Sequence, residues 1–110
     1  MGEVRTEITL VNLGDSVKAR DGFIPESEVR RLTVNAVVDT GAWTLIINEA
    51  AREKLGLKVE ETSETTLTGG VKVFSQITEP VRIYWKDRRA ACEAVVLPSE
   101  EDVLLGALPL

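Results

Sequence analysis

Short runs of β-branched and aliphatic residues, cut repeatedly by turn-forming residues, extend from Val4 to Leu105. This texture restricts the chain to a small all-β domain with little helix. Val4 to Leu13 reads as a first strand, in which Thr6, Ile8 and Leu10 alternate against Glu7 and Thr9. Gly14-Asp15-Ser16 and Asp21-Gly22 then read as turns. Val29 to Val38 is a second strand, with Leu32, Val34, Ala36 and Val38 opposite Arg31, Thr33 and Asn35. The unbroken apolar run of Thr44 to Ile47 predicts a strand buried on both faces. One short helix follows. Asn48 is its N-cap, Glu49 complements its first turn, Ala51 and Leu55 share its inner face, and Gly56 closes it. Thr65 to Thr68, Gly69-Gly70 and Val71 to Ile77 have the form of a glycine-tipped hairpin. Val81 to Trp85, Ala90 to Leu97 and Val103 to Leu105 complete the strands.

Composition narrows the chemistry. The 110 residues suffice for one domain, contain no histidine and include one cysteine, Cys92. A Ser-His-Asp triad, a Cys-His dyad, a histidine-ligated metal site and an internal disulfide are therefore all excluded within this chain. No cofactor or metal is expected. Thirteen basic residues against 18 acidic ones leave a net charge of −5, without the basic footprint that nucleic-acid binding needs. No apolar run approaches the roughly 20 residues of a membrane helix, so no membrane partner is expected. Met1 to Arg5 lacks the apolar core of a signal peptide, and the single thiol suits a reducing, cytoplasmic compartment. A core this small would gain from the extra surface buried on oligomerisation.

The segment richest in chemical meaning is Val37-Val38-Asp39-Thr40-Gly41-Ala42. A carboxylate directly after an apolar strand is costly to bury without partners or a function. Gly41 permits a sharp turn and Thr40 supplies a hydroxyl and a backbone N–H. An Asp-Thr-Gly turn between two strands also occurs in β proteins for structural reasons, so the tripeptide alone leaves both readings open. Its surroundings add weight. Asp39-Thr40-Gly41-Ala42 between two apolar strands, the glycine-tipped hairpin around Gly69-Gly70 and Leu104-Leu105-Gly106 follow in order. In this the sequence resembles the retropepsin-like aspartic proteases over roughly Thr6 to Leu110.

That resemblance implies a small closed β-barrel with one short helix and a β-hairpin flap. It also implies an aspartic endopeptidase acting on a peptide or protein substrate. In such chemistry two nearby carboxylates share one proton, one activating a water while the protonated partner polarises the scissile carbonyl. Their pKa values belong to the pair. This chain contains one Asp-Thr-Gly, hence half a dyad, so a homodimer would bring Asp39 to Asp39 of a second copy on the two-fold axis. The resemblance makes Asp39, Thr40 and Gly41 catalytic, with Thr40 tying the two loops across the axis. Ala42, Gly69 and Gly70 would bind substrate, the glycines allowing positive φ and flap opening. Gly106 would let its strand lie close under the Asp39 loop.

Other residues carry plainer expectations. Trp43 suits a substrate pocket or a core or dimer contact equally, and Lys72 and Phe74 could face substrate or solvent. Tyr84-Trp85 reads as a core anchor with a polar tip, Cys92 as a buried structural thiol, and Ser99 to Asp102 as a solvated turn. Glu49, Arg52 and Glu53 read as a solvent-exposed helix face. Retropepsin-like subunits continue past the apolar-apolar-Gly motif with a short helix and a dimer-forming strand. This sequence stops at Leu108-Pro109-Leu110, so a single domain over 1–110 lacking those two elements is expected. Two other readings stand beside the protease: a non-catalytic retropepsin-like peptide-binding or dimerisation module, and a generic β-barrel binding module.

Overall fold

In the computed structural model the described residues are 4–38, 44–66, 69–97 and 102–106. Strand β1 (Arg5–Asn12) leads into helix α1 (Leu13–Arg20), and a 3-10 turn (Glu26–Glu28) precedes β2 (Arg31–Val38). Strand β3 (Leu45–Ile47), helix α2 (Glu49–Leu55), β4 (Val59–Thr66), β5 (Lys72–Trp85), β6 (Arg88–Val96) and β7 (Leu104–Leu105) follow. The strands are ordered β1-β2-β7-β3-β6-β5-β4, and β1 also pairs with β5. Six strands thus close into a barrel, and β4 projects from β5 as the outer arm of a hairpin. The fold is the all-β closed barrel with a flap that the sequence predicts.

Alternation builds the barrel wall. Ile8 and Leu10 of β1, Ala36 of β2, Leu45 and Ile47 of β3, and Val81 and Ile83 of β5 are buried in one core. Their outward neighbours Glu7, Thr33 and Asn35 are exposed or partly so. Helix α2 forms as its caps dictate. The Asn48 side chain accepts from Ala51 N at 2.8 Å, Gly56 takes the left-handed conformation at φ 61°, and Ala51 and Leu55 face the core. On its polar face Glu49 and Arg52 form an ion pair.

The structure corrects three local expectations. First, Gly14-Asp15-Ser16 is part of α1 and not a turn. Asn12 caps that helix by accepting from Asp15 N at 3.0 Å, and Asp15, Lys18 and Arg20 are distributed to match the helix dipole. Among the described residues there are therefore two α-helices, where the sequence leads one to expect a single helix. Second, β5 runs unbroken for 14 residues through Glu79-Pro80. A register shift between Ile77 and Pro80 absorbs the proline, and the buried Thr78 hydroxyl accepts from Ala94 N at 3.2 Å while donating to Glu79 O at 2.8 Å. Third, only Trp85 of the Tyr84-Trp85 pair is anchored inward, its indole N–H donating to Thr6 Oγ1 at 2.8 Å. Tyr84 lies on the outer face, 41% exposed.

One polar cluster ties the first helix to the barrel. Asp15, only 5% exposed, accepts from Arg30 three times: from its backbone N at 3.0 Å, Nε at 2.8 Å and Nη2 at 3.0 Å. Those hydrogen bonds from the Arg30 side chain hold the Asp15 carboxyl below the usual carboxylate range. Asn12 Nδ2 donates to Leu55 O at 2.8 Å, which joins the start of α1 to the end of α2.

Candidate active site

Strand β2 ends at Val38 and β3 begins at Leu45. The candidate residues Asp39, Thr40, Gly41 and Ala42, together with Trp43, lie between them and outside the described residues. The frame that holds this segment is described in full. Strand β7 runs parallel to β2, pairing Val37 with Leu104 and Val38 with Leu105. It also runs antiparallel to β3, pairing Leu105 with Leu45 and Leu104 with Ile46. Leu105 is thus the neighbour of both the residue before Asp39 and the first residue of β3.

Further backbone bonds fix the two flanks. Val37 N donates to Val103 O at 2.9 Å and Val38 N to Val4 O at 2.8 Å. Gly106 N donates to Thr44 O at 3.0 Å, immediately after the undescribed segment. The Leu104-Leu105-Gly106 motif therefore stitches together the two strands that enter and leave Asp39-Thr40-Gly41. Burial explains its composition: Leu105 is 5% exposed, and Leu45 and Ala36 are fully buried beside it.

The hairpin of β4 and β5 pairs from Thr66 with Lys72 down to Val59 with Thr78. Gly69 and Gly70 both have positive φ, at 91° and 80°, a conformation that disfavours any side chain. Lys72 and Phe74 both face outward in the single chain, Lys72 pairing with Glu64 at 3.3 Å and Phe74 standing 54% exposed. Cys92 is half-buried, and Thr44 Oγ1 lies 3.9 Å from its sulfur. Burial pushes that thiol's pKa up, the opposite of what a nucleophile requires. Among the described residues no three histidine, cysteine or carboxylate side chains converge where a metal ion could sit. No described helix is long and apolar enough to cross a membrane.

Residues 26–107 match the family described as aspartyl protease. The chain belongs to the aspartyl protease family. The matched segment takes in Asp39-Thr40-Gly41, the hairpin and Leu104-Leu105-Gly106, whereas β1 and α1 precede it. In fold this aspartyl protease is similar to the EIAV protease complexed with the inhibitor HBY-793, with a TM-score of 0.52 and 24% identity over 96% of this chain and 82% of that one. A retropepsin-like aspartic protease from Rickettsia conorii aligns with a TM-score of 0.46 and 19% identity, over 97% of this chain and 80% of the other. No curated protein matches the sequence. The barrel is therefore retropepsin-like, and family and fold together support aspartic protease activity in general.

The Asp15–Arg30 cluster is a feature that the residue-by-residue reading missed. Its signal was present as Asn12 followed three positions later by Asp15, the spacing of an N-cap and a first-turn acid.

Proposed function

We propose that this aspartyl protease is an endopeptidase active as a symmetric homodimer, each copy contributing one Asp39 to the catalytic pair. The observation that carries the reading is the frame around its single Asp-Thr-Gly. Both flanks pair with Leu105, so the segment leaves and re-enters the barrel at one point on a rigid wall. A loop held so closely at its base suits a carboxylate that must meet its symmetry mate at short range.

In this mechanism one Asp39 carboxylate takes a proton from a water molecule, and the oxygen attacks the scissile peptide carbonyl. The protonated Asp39 of the other copy donates to the carbonyl oxygen, and the tetrahedral intermediate then collapses with a proton passing to the leaving amine. Thr40 holds the two loops together across the axis, and Gly41 permits their close approach. Ala42 lines the site, while Gly69 and Gly70 let the flap lift and close over an extended peptide. The protein acts in the cytoplasm and is inactive as a monomer, because one chain holds half of the dyad.

Peptide cleavage measured against enzyme concentration, with sedimentation in parallel, tests this reading. The specific activity should rise with the dimer fraction, and Asp39→Asn should abolish cleavage while leaving the melting profile intact. Cleavage by a folded Asp39→Asn protein, or specific activity independent of dilution down to a purely monomeric sample, refutes it.

A further inference from the structure

On the outer wall of the barrel, α1 and the β5–β6 hairpin enclose a cleft of about 270 Å³. Helix α1 contributes Ser16, Val17 and Arg20, and the hairpin contributes Arg82, Tyr84 and Arg89. The register explains the cluster. Tyr84 pairs with Arg89 across the hairpin, and Arg82 lies two residues before Tyr84, so all three project from one face. Val81 and Ile83, which alternate with them, are fully buried in the core, so that face is the outward one. Helix α1 packs across β5 and forms the opposite wall.

Three arginines thus line one cleft in a chain whose net charge is −5. Arg20 pairs with Asp21 at 3.2 Å. Arg82 and Arg89 make no ion pair or side-chain hydrogen bond among the described residues, although Arg82 is half-buried. Neither does the Tyr84 hydroxyl. The guanidinium donors of Arg82 and Arg89 are therefore available to an anion in the cleft. Glu93 shares this outward face, diagonally across the hairpin from Arg82, and makes no ion pair with it among the described residues.

We propose that this cleft is a binding site for a phosphate-type oxyanion. Arg82 and Arg89 supply the planar forks that grip phosphate oxygens in pairs, and Tyr84 and Ser16 supply hydroxyl donors. Several cationic and neutral donors lining one cleft match a dianion with many acceptor positions better than a carboxylate, which offers one charge and two oxygens. The volume is below the roughly 300 Å³ at which pockets begin to enclose a whole drug-sized ligand. It therefore suits the phosphate itself, free or as the phosphomonoester of a peptide side chain. The site stands apart from the Asp39 reading in its evidence: Val38 is bonded at the N-terminal end of β1, whereas the cleft forms where α1 leaves the C-terminal end.

The experiment is an NMR titration of the full chain at low salt, following the backbone amide signals of α1 and of the β5–β6 hairpin. The probes are inorganic phosphate, a short phosphoserine peptide and the same peptide unphosphorylated, with added chloride matched throughout. Saturable shifts with phosphate or the phosphopeptide, weakened at least tenfold in Arg82→Gln/Arg89→Gln and about threefold in Tyr84→Phe, are expected. Arg82→Lys should fall between them, since it keeps the charge and loses the fork. Tighter binding of the phosphopeptide assigns the ligand to a modified side chain, and equal binding assigns it to free phosphate. Absence of saturable shifts in the wild type, a double variant within twofold of it, or equal binding of the unphosphorylated peptide overturns the proposal. The amide spectrum reports the fold of each variant directly.

Discussion

Replacing Asp15 with asparagine isolates the cluster that fastens α1 to the barrel. The carboxylate accepts three hydrogen bonds from Arg30, at 3.0, 2.8 and 3.0 Å. Asparagine retains one acceptor oxygen and turns an amide NH2 toward the guanidinium, so at least one charge-assisted bond is lost, worth about 1.5–3 kcal/mol. Removing one partner of a fully buried pair costs about 3–5 kcal/mol, but the Arg30 side chain is 50% exposed and water can solvate it. The expected loss at pH 7 is therefore about 2–3 kcal/mol, which lowers the urea midpoint by roughly 1.5 M for an m-value of about 1.5 kcal/mol/M. The sign with pH is equally defined. Arg30 depresses the Asp15 pKa in the folded state, so the stabilisation is complete above about pH 4, the ordinary carboxylate value, and is lost as pH falls through the folded-state pKa. Urea titrations of both proteins at equal concentration, at pH 7 and near pH 2.5, should show a gap that narrows on acidification. An unchanged midpoint at pH 7, or a gap of equal size at both pH values, refutes the assignment.

Two other substitutions probe neighbouring parts of the frame. Gly56→Ala should destabilise by about 3 kcal/mol, because φ is 61° and the new Cβ would clash with the Arg30 guanidinium, displacing that group from Asp15. In the Asp15→Asn background the same change should cost only about 1–2 kcal/mol, a non-additivity read by denaturation of the double variant. Leu105→Ala should cost about 2–5 kcal/mol through the cavity it leaves in the core between β2 and β3, while half-buried Leu104→Ala costs clearly less. Equal midpoints for the two leucine variants by chemical denaturation would contradict the central place given to Leu105.

Much of the barrel was legible because its strands obey a period of two and its signals are local. Asn48 and Gly56 announce α2, and Gly69-Gly70 announce the hairpin tip. What stayed hidden depends on contacts remote in sequence. Gly14-Asp15-Ser16 has turn composition, and it becomes helical only because Asn12 caps the segment and Arg30, fifteen residues beyond Asp15, neutralises it. Pro80 looks like a strand breaker, yet β5 passes through it because a bulge and the Thr78 hydroxyl satisfy the neighbouring backbone. Tyr84-Trp85 reads as a core anchor with a polar tip, which holds for Trp85 alone. The alternation around buried Val81 and Ile83 places Tyr84 outside, and strict application of the two-residue period would have found this.

The site was legible in a different way. Asp39-Thr40-Gly41 is readable as a motif, but its own residues do not state why Leu104-Leu105-Gly106 must accompany it. The pairings supply the reason. The ends of β2 and β3, between which Asp39-Thr40-Gly41 lies, are held more tightly than a three-residue strand such as β3 can manage alone. Two residues of β7, inserted between β2 and β3, bond to both sides at once, and Leu105 is buried beneath them. An element of two residues has no stability of its own, so it persists only because it completes hydrogen bonding for two neighbours and covers the core. The apolar-apolar-Gly motif therefore fixes the two strands that flank Asp39-Thr40-Gly41, and under the proposed mechanism substitutions in the two should impair cleavage together.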